Sequence, residues 1–181
     1  MSKSLGNVIN PIELVTMYGI DAVRYVLLRH VSHVEDSDLT RDAIREHYTA
    51  HLTNGLGNLV ARVMTLAEAH LPHPVALTDA DTKIEQAFLE SVEKFHFNEA
   101  MDFVFAKVSA ADVFMTEHMP YKKIKSNAVA EQESARSDIE HLVRQLASIA
   151  AHLVPVMPRT AQLIAEAVRA NKKPDNLFPR L

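Results

Sequence analysis

Apolar positions recur at helical spacing along most of the chain, and no stretch of useful length alternates with the period of two expected of a strand. Asn10 reads as a helix N-cap, with Pro11 in the first helical position and Glu13 at capping-box distance. The spacing predicts a helix to about Tyr18, ended by Gly19. A second short helix follows, from about Asp21 to His30, with Val23, Leu27 and Leu28 on its buried side. Residues 31–39 are polar and acidic and read as a loop. From Thr40, a second N-cap, Ile44, Tyr48, Leu52, Leu56, Leu59, Val63 and Leu66 predict one long helix to about Ala69. Some 29 residues at about 1.5 Å each would reach roughly 44 Å. Gly55 and Gly57 lie inside it, and each costs about 1 kcal/mol relative to Ala in a helix. Their presence implies close packing or the close approach of a ligand.

Leu71-Pro72-His73-Pro74 breaks the long helix. Thr78, with Asp81 three residues on, starts a predicted helix over about 79–95 with Ile84, Phe88 and Val92 inward. Asn98 is expected to cap the next, over about 99–118, with Phe103, Val104 and Phe114 in the core. Pro120 opens a break, followed by Tyr121-Lys122-Lys123-Ile124-Lys125. A sixth helix is predicted over about 130–153, with Ile139, Leu142, Leu146, Ile149 and Leu153 as its stripe. Pro158 suits the start of a last helix ending near Ala170, and residues 171–181 carry no helical pattern. The fold class is therefore all-α, an antiparallel helix bundle.

Composition narrows the picture. With 181 residues, 48% apolar, only 4 Gly and 8 Pro, the chain can build a proper core and does not read as disordered. It has no cysteine, which excludes disulfides and thiolate metal sites and agrees with a reducing cytoplasm, the expected location. No apolar run reaches the roughly 18 residues of a membrane span, so no membrane partner is expected. A net charge of −4 argues against indiscriminate nucleic-acid binding, which needs a broad basic face. It leaves room for recognition of a short single-stranded loop, where a few stacked bases and hydrogen bonds decide the matter.

Four groups of residues carry candidate chemistry. In Met1-Ser2-Lys3-Ser4-Leu5-Gly6-Asn7, hydroxyls flank a lysine that can meet a phosphate as a point charge; taken alone, it reads as an untethered terminus. Asn58 and Arg62, spaced i, i+4, share one face of the long helix, and alone they read as an ordinary exposed polar face. Pro120-Tyr121 presents an aromatic beside Lys122, Lys123 and Lys125. His47 and His51, also i, i+4, have a spacing that can grip zinc. No cysteine assists them and no glutamate follows His47 in the metalloprotease spacing, so they read as solvated and no metal site is expected. Glu13, Asp21 and Asp42 suit helix-end roles.

These stretches resemble a known family. Met1 to Asn7 matches the tail of the Lys-Met-Ser-Lys-Ser signature of class I aminoacyl-tRNA synthetases. Val8-Ile9-Asn10-Pro11, then Tyr18-Gly19-Ile20-Asp21-Ala22-Val23-Arg24-Tyr25 to Leu27-Leu28-Arg29, looks like the continuation found in methionyl-tRNA synthetases. So do Asn54-Gly55-Leu56-Gly57-Asn58-Leu59-Val60-Ala61-Arg62, Val156-Met157-Pro158 and Leu177-Phe178-Pro179-Arg180. The resemblance implies a connector over 1–39 carrying the ATP-site loop, and an anticodon-binding helical bundle over 40–181. It implies that Met1, Ser2, Lys3 and Ser4 belong to the ATP loop, with Lys3 the catalytic residue that stabilises charge on the departing pyrophosphate. It assigns Asn58 and Arg62 to anticodon bases, and Tyr121 to the stacking role of a family tryptophan that this chain lacks.

By the same resemblance, the whole enzyme would use ATP with Mg2+ to activate methionine and would esterify it to tRNA(Met), whose anticodon loop is the expected partner. The family's first lysine and its nucleotide-binding fold would lie upstream of Met1. The chain is then expected to be a piece of an enzyme, inactive alone, binding no cofactor by itself, with the catalytic domain as its other partner. The alternatives are the equivalent piece of a leucine, isoleucine, valine or cysteine enzyme, a helical interaction module without RNA binding, or an intact small enzyme.

Overall fold

The structure, a computed structural model, describes residues 9–31 and 39–181. It is all-helical, with no strand among the described residues, and its helices share one hydrophobic core. Two short helices open it, α1 (Pro11–Tyr18) and α2 (Ile20–His30). The Asn10 side chain accepts from the Ile12 N–H at 2.9 Å, as its N-cap position requires. Gly19 joins the two helices at φ +83°, a conformation that β-carbons disfavour.

The long helix runs from Arg41 to His70, but its middle is wound differently. α3 (Arg41–His47) passes into a π-helix over Tyr48–Gly57 and then into α4 (Asn58–His70). The sequence carried a trace of this. Ile44, Tyr48, Leu52 and Leu56 are four residues apart three times running, and in an α-helix each such step drifts by about 40°. The wider π turn absorbs that drift, and all four are buried. Gly57 serves close packing: a β-carbon there would meet the Leu52 carbonyl at 3.0 Å and the Phe178 ring at 3.2 Å.

The remaining helices are α5 (Gln86–Glu93), α6 (Phe97–His118), α7 (Pro120–Lys123), α8 (Val129–Leu153) and α9 (Pro158–Ala170). α8 is the central rod, packed against α4, α6, α7 and α9, and Ile139, Leu142, Leu146, Ile149 and Leu153 are all buried.

Three expectations are corrected. The helix expected over 79–95 is a 3-10 turn (Asp79–Thr82), an extended link and then α5. The Asp81 carboxylate accepts from the Thr78 N–H at 2.7 Å and from Arg144 of α8 at 2.8 Å, which ties the first turn down. Glu85 then reaches Lys107 at 2.5 Å and the buried His152, which a continuous helix would not deliver. Second, α6 starts one residue before Asn98, with His96 at the cap position and no side-chain cap bond. Third, Leu27 is exposed; α2 buries Asp21, Ala22, Val23, Tyr25 and Val26 instead.

The burial of Asp21 has a partner to explain it. Its Oδ2 accepts from the Thr160 N–H in the first turn of α9 at 2.6 Å, a carboxylate placed where the helix dipole favours it. One turn along α2, Arg24 donates from Nε to the Val156 carbonyl at 2.7 Å and from Nη2 to the Pro155 carbonyl at 2.9 Å. The two side chains thus grip the α8–α9 turn at both ends. Arg29 completes the seam by donating to Asp102 of α6 at 2.7 Å.

Candidate functional site

The first turns of α4 lift Asn58 and Arg62 out of the bundle on one face. Asn58 is exposed and Arg62 is half-buried. Arg62 reaches across to α6, where its Nη1 donates to Asp112 Oδ1 at 2.6 Å. Both partners remain solvated, and an ion pair of that kind contributes no more than about 1 kcal/mol, so an incoming base or phosphate can compete for the guanidinium.

Tyr121 approaches the same face from the other side. Met119 ends α6 in the left-handed region, φ +47°, an uncommon conformation for a side-chain-bearing residue. Pro120 then opens α7, and the turn brings Tyr121 to the same concavity as Arg62. The two line one concavity of about 420 Å³ together with Ala61, Thr65, Leu66 and Met115. The floor is apolar, with a phenol and a guanidinium at its walls, which is a surface suited to a planar aromatic ligand that also carries hydrogen-bonding edges.

Asn58 lies one turn back, in a second concavity of about 540 Å³ that shares Ala61 with the first. Its other polar walls are Thr53, Asn54, Asn176 and Arg180. The last two escaped the sequence reading because residues 171–181 show no helical period. The structure threads that tail back along the long helix. Asn171 Nδ2 donates to the Leu71 carbonyl at 3.1 Å, and the Lys173 N–H donates to Glu68 at 2.8 Å. Phe178 is buried against Gly57, and the Tyr48 hydroxyl donates to the Pro179 carbonyl at 2.8 Å. The two glycines of Asn54-Gly55-Leu56-Gly57-Asn58 were the available signal, since a packed glycine needs something to pack against it.

The lysines after Tyr121 divide. Lys123 donates to Asp138 of α8 at 2.9 Å, beside His118, so its charge serves the fold. Lys122 and Lys125 are exposed. Met1, Ser2, Lys3 and Ser4 lie outside the described residues. No helix among the described residues is long and apolar enough to cross a membrane.

The comparisons with known proteins agree with one another. Residues 1–64 match the family described as tRNA synthetases class I (M). Methionine–tRNA ligase of Caldanaerobacter subterraneus is 33% identical over 92% of this chain and 27% of its own length. The Fusobacterium nucleatum enzyme of the same name is 31% identical over 98% of this chain and 29% of its own length. The chain therefore spans about a quarter to a third of the curated relatives it matches. Among solved structures, Mycobacterium tuberculosis methionyl-tRNA synthetase bound by methionyl-adenylate aligns with a TM-score of 0.77 at 25% identity, over 99% of this chain and 40% of that one. The free state of that enzyme aligns with a TM-score of 0.79 at 23% identity, a likeness of fold, over 96% of this chain and 41% of the other. On sequence and fold together, the chain is similar along nearly its whole length to one portion of methionine–tRNA ligases.

Proposed function

We propose that this chain is the anticodon-reading portion of a methionine–tRNA ligase, whose whole enzyme activates methionine with ATP and Mg2+ and transfers it to tRNA(Met). In this reading residues 40–181 form the bundle that receives the anticodon loop, and residues 1–39 connect it to the catalytic half. The observation that supports it best is the shared concavity of Arg62 and Tyr121 beside Asn58, on a bundle similar to that portion of methionine–tRNA ligases. Tyr121 stacks on an unpaired base, Arg62 forks onto a neighbouring base or stacks on it, and the Asn58 amide pairs with a base edge. Tyrosine replaces tryptophan here without loss of the principle, because stacking needs only a π-face.

Lys3, with Met1, Ser2 and Ser4 around it, takes the charge-stabilising role at the ATP phosphates. This assignment draws on the family match over residues 1–64.

The test is titration of the chain with an anticodon stem-loop bearing CAU, and with one whose anticodon is altered. Binding to the first and at least tenfold weaker binding to the second is expected. Tyr121→Ala and Arg62→Ala should each weaken CAU binding by roughly 1–3 kcal/mol, about 5- to 150-fold. Equal binding of both stem-loops, or indifference to both substitutions, would refute the assignment.

A further inference from the structure

Three histidines from two elements meet at the seam between α2 and the long helix. His30 closes α2, His47 ends α3, and His51 stands one turn on in the π segment. The expectation that His47 and His51 are simply solvated is corrected: both are half-buried, and a third imidazole has joined them. The His30 and His47 rings stack with centroids 3.7 Å apart, and His51 lies 5.5 Å from each. One nitrogen from each ring falls within 4.8 Å of the other two. His30 Nε2 is buried with no hydrogen-bond partner, a costly state for a polar atom unless a ligand completes it.

From this cluster we propose that His30, His47 and His51 bind one divalent ion of the zinc, cobalt or nickel type, pinning the end of α2 to the long helix. Three imidazole donors with no thiolate and no carboxylate among them select borderline metals over calcium or magnesium. Tetrahedral zinc with bonds of about 2.0–2.1 Å needs nitrogens roughly 3.3 Å apart, so the rings must close by about 1.5 Å or less. The stacked pair must also turn, since parallel rings do not converge their lone pairs; rotation about the side-chain bonds supplies both movements.

The surroundings already hold part of such a site in place. The Tyr25 hydroxyl lies 2.7 Å from His51 Nδ1, which orients that ring and leaves Nε2 as its ligand atom. With metal on Nε2, Nδ1 carries the proton and donates to the phenol oxygen, the outer-shell arrangement that metal-bound histidines commonly have. Arg29 approaches the same hydroxyl at 2.5 Å, but its charge is paired with Asp102. Burial, reinforced by His47 and Arg29, holds His30 at about 4, and burial together with Arg29 also lowers His51.

The test uses the whole chain, stripped with a chelator. Co2+ titration followed by visible absorption should give a tetrahedral-type band saturating at one ion per chain, and Zn2+ should displace it and raise the unfolding temperature. His30→Gln, His47→Gln and His51→Gln should each weaken binding at least tenfold. Tyr25→Phe should weaken it about 10- to 100-fold while leaving the stoichiometry at one. His73→Gln, in the exposed loop after α4, should change nothing. His47→Gln is the decisive variant, because that half-exposed ring can be replaced with the helix intact, as far-UV circular dichroism will verify. No saturable binding, or binding that survives His47→Gln in folded protein, overturns the proposal.

Discussion

Replacing Asp21 by alanine should cost more than its single contact suggests. The carboxylate is 6% exposed and accepts from the Thr160 N–H at 2.6 Å, 139 residues away. Alanine leaves that N–H buried at the start of α9 with no acceptor. A hydrogen bond to a charged group contributes about 1.5–3 kcal/mol, and a carboxylate at a helix N-terminus up to about 2 in partly buried geometry. These describe the same contact from two sides and do not add, so the expected loss is about 2–3 kcal/mol. For a chain of this length that lowers the unfolding temperature by about 4–12 °C. Asp21→Asn keeps an acceptor and should lose roughly half as much. Urea unfolding followed by far-UV circular dichroism measures both, with Asp102→Ala as the control. Asp102 is 65% exposed, so losing its pair with Arg29 should cost under about 1 kcal/mol. If Asp21→Ala stays within about 0.5 kcal/mol of the parent, the grip of α2 on the α8–α9 turn is not a stabilising element.

Phe178→Ala should destabilise by about 3 kcal/mol, the low end for a buried phenylalanine because a terminal segment can relax into the space; urea unfolding checks it. It should also make the tail from Asn171 onward cleavable by protease in native conditions. Hydrogen bonds from the Thr78 backbone and side chain, with Arg144 beside them, hold the Asp81 carboxyl below its ordinary value. A depressed carboxylate stabilises the fold above the unfolded value near 3.8 and loses that contribution as pH falls through the folded one. Asp81→Asn should therefore flatten part of the stability loss below about pH 4 in acid unfolding curves. The chain alone should give no ATP–pyrophosphate exchange above background, and adding the anticodon stem-loop should not change that.

Much of the architecture was legible because helices advertise themselves locally. Asn10, Pro11, Thr40 and Pro158 marked starts that the structure places within a residue or two, and the stripe from Ile139 to Leu153 faces the core as its spacing required. The errors share one cause. Leu27 looked buried and Asn98 looked like a cap because each judgement used only its neighbours in sequence. The break after Asp81 follows from Arg144, Lys107 and His152, residues that lie 22 to 67 positions beyond the groups they hold. No local window contains them.

The candidate site divides along the same line. Asn58 and Arg62 share a face by helical geometry alone, since positions four apart must stand together. That Tyr121 closes the concavity of Arg62, next to the one that holds Asn58, depends on the left-handed turn at Met119. That Arg180 and Asn176 flank Asn58 depends on Phe178 finding the space above Gly57. Periodicity and caps follow from backbone hydrogen bonding within a few residues, so the sequence by itself determined most of the helices and most of their apolar faces. Which faces meet, and which distant side chains converge, is decided by the burial of those faces against one another. Asp21 against α9, the three stacked histidines and the returning tail therefore belong to the tertiary structure alone.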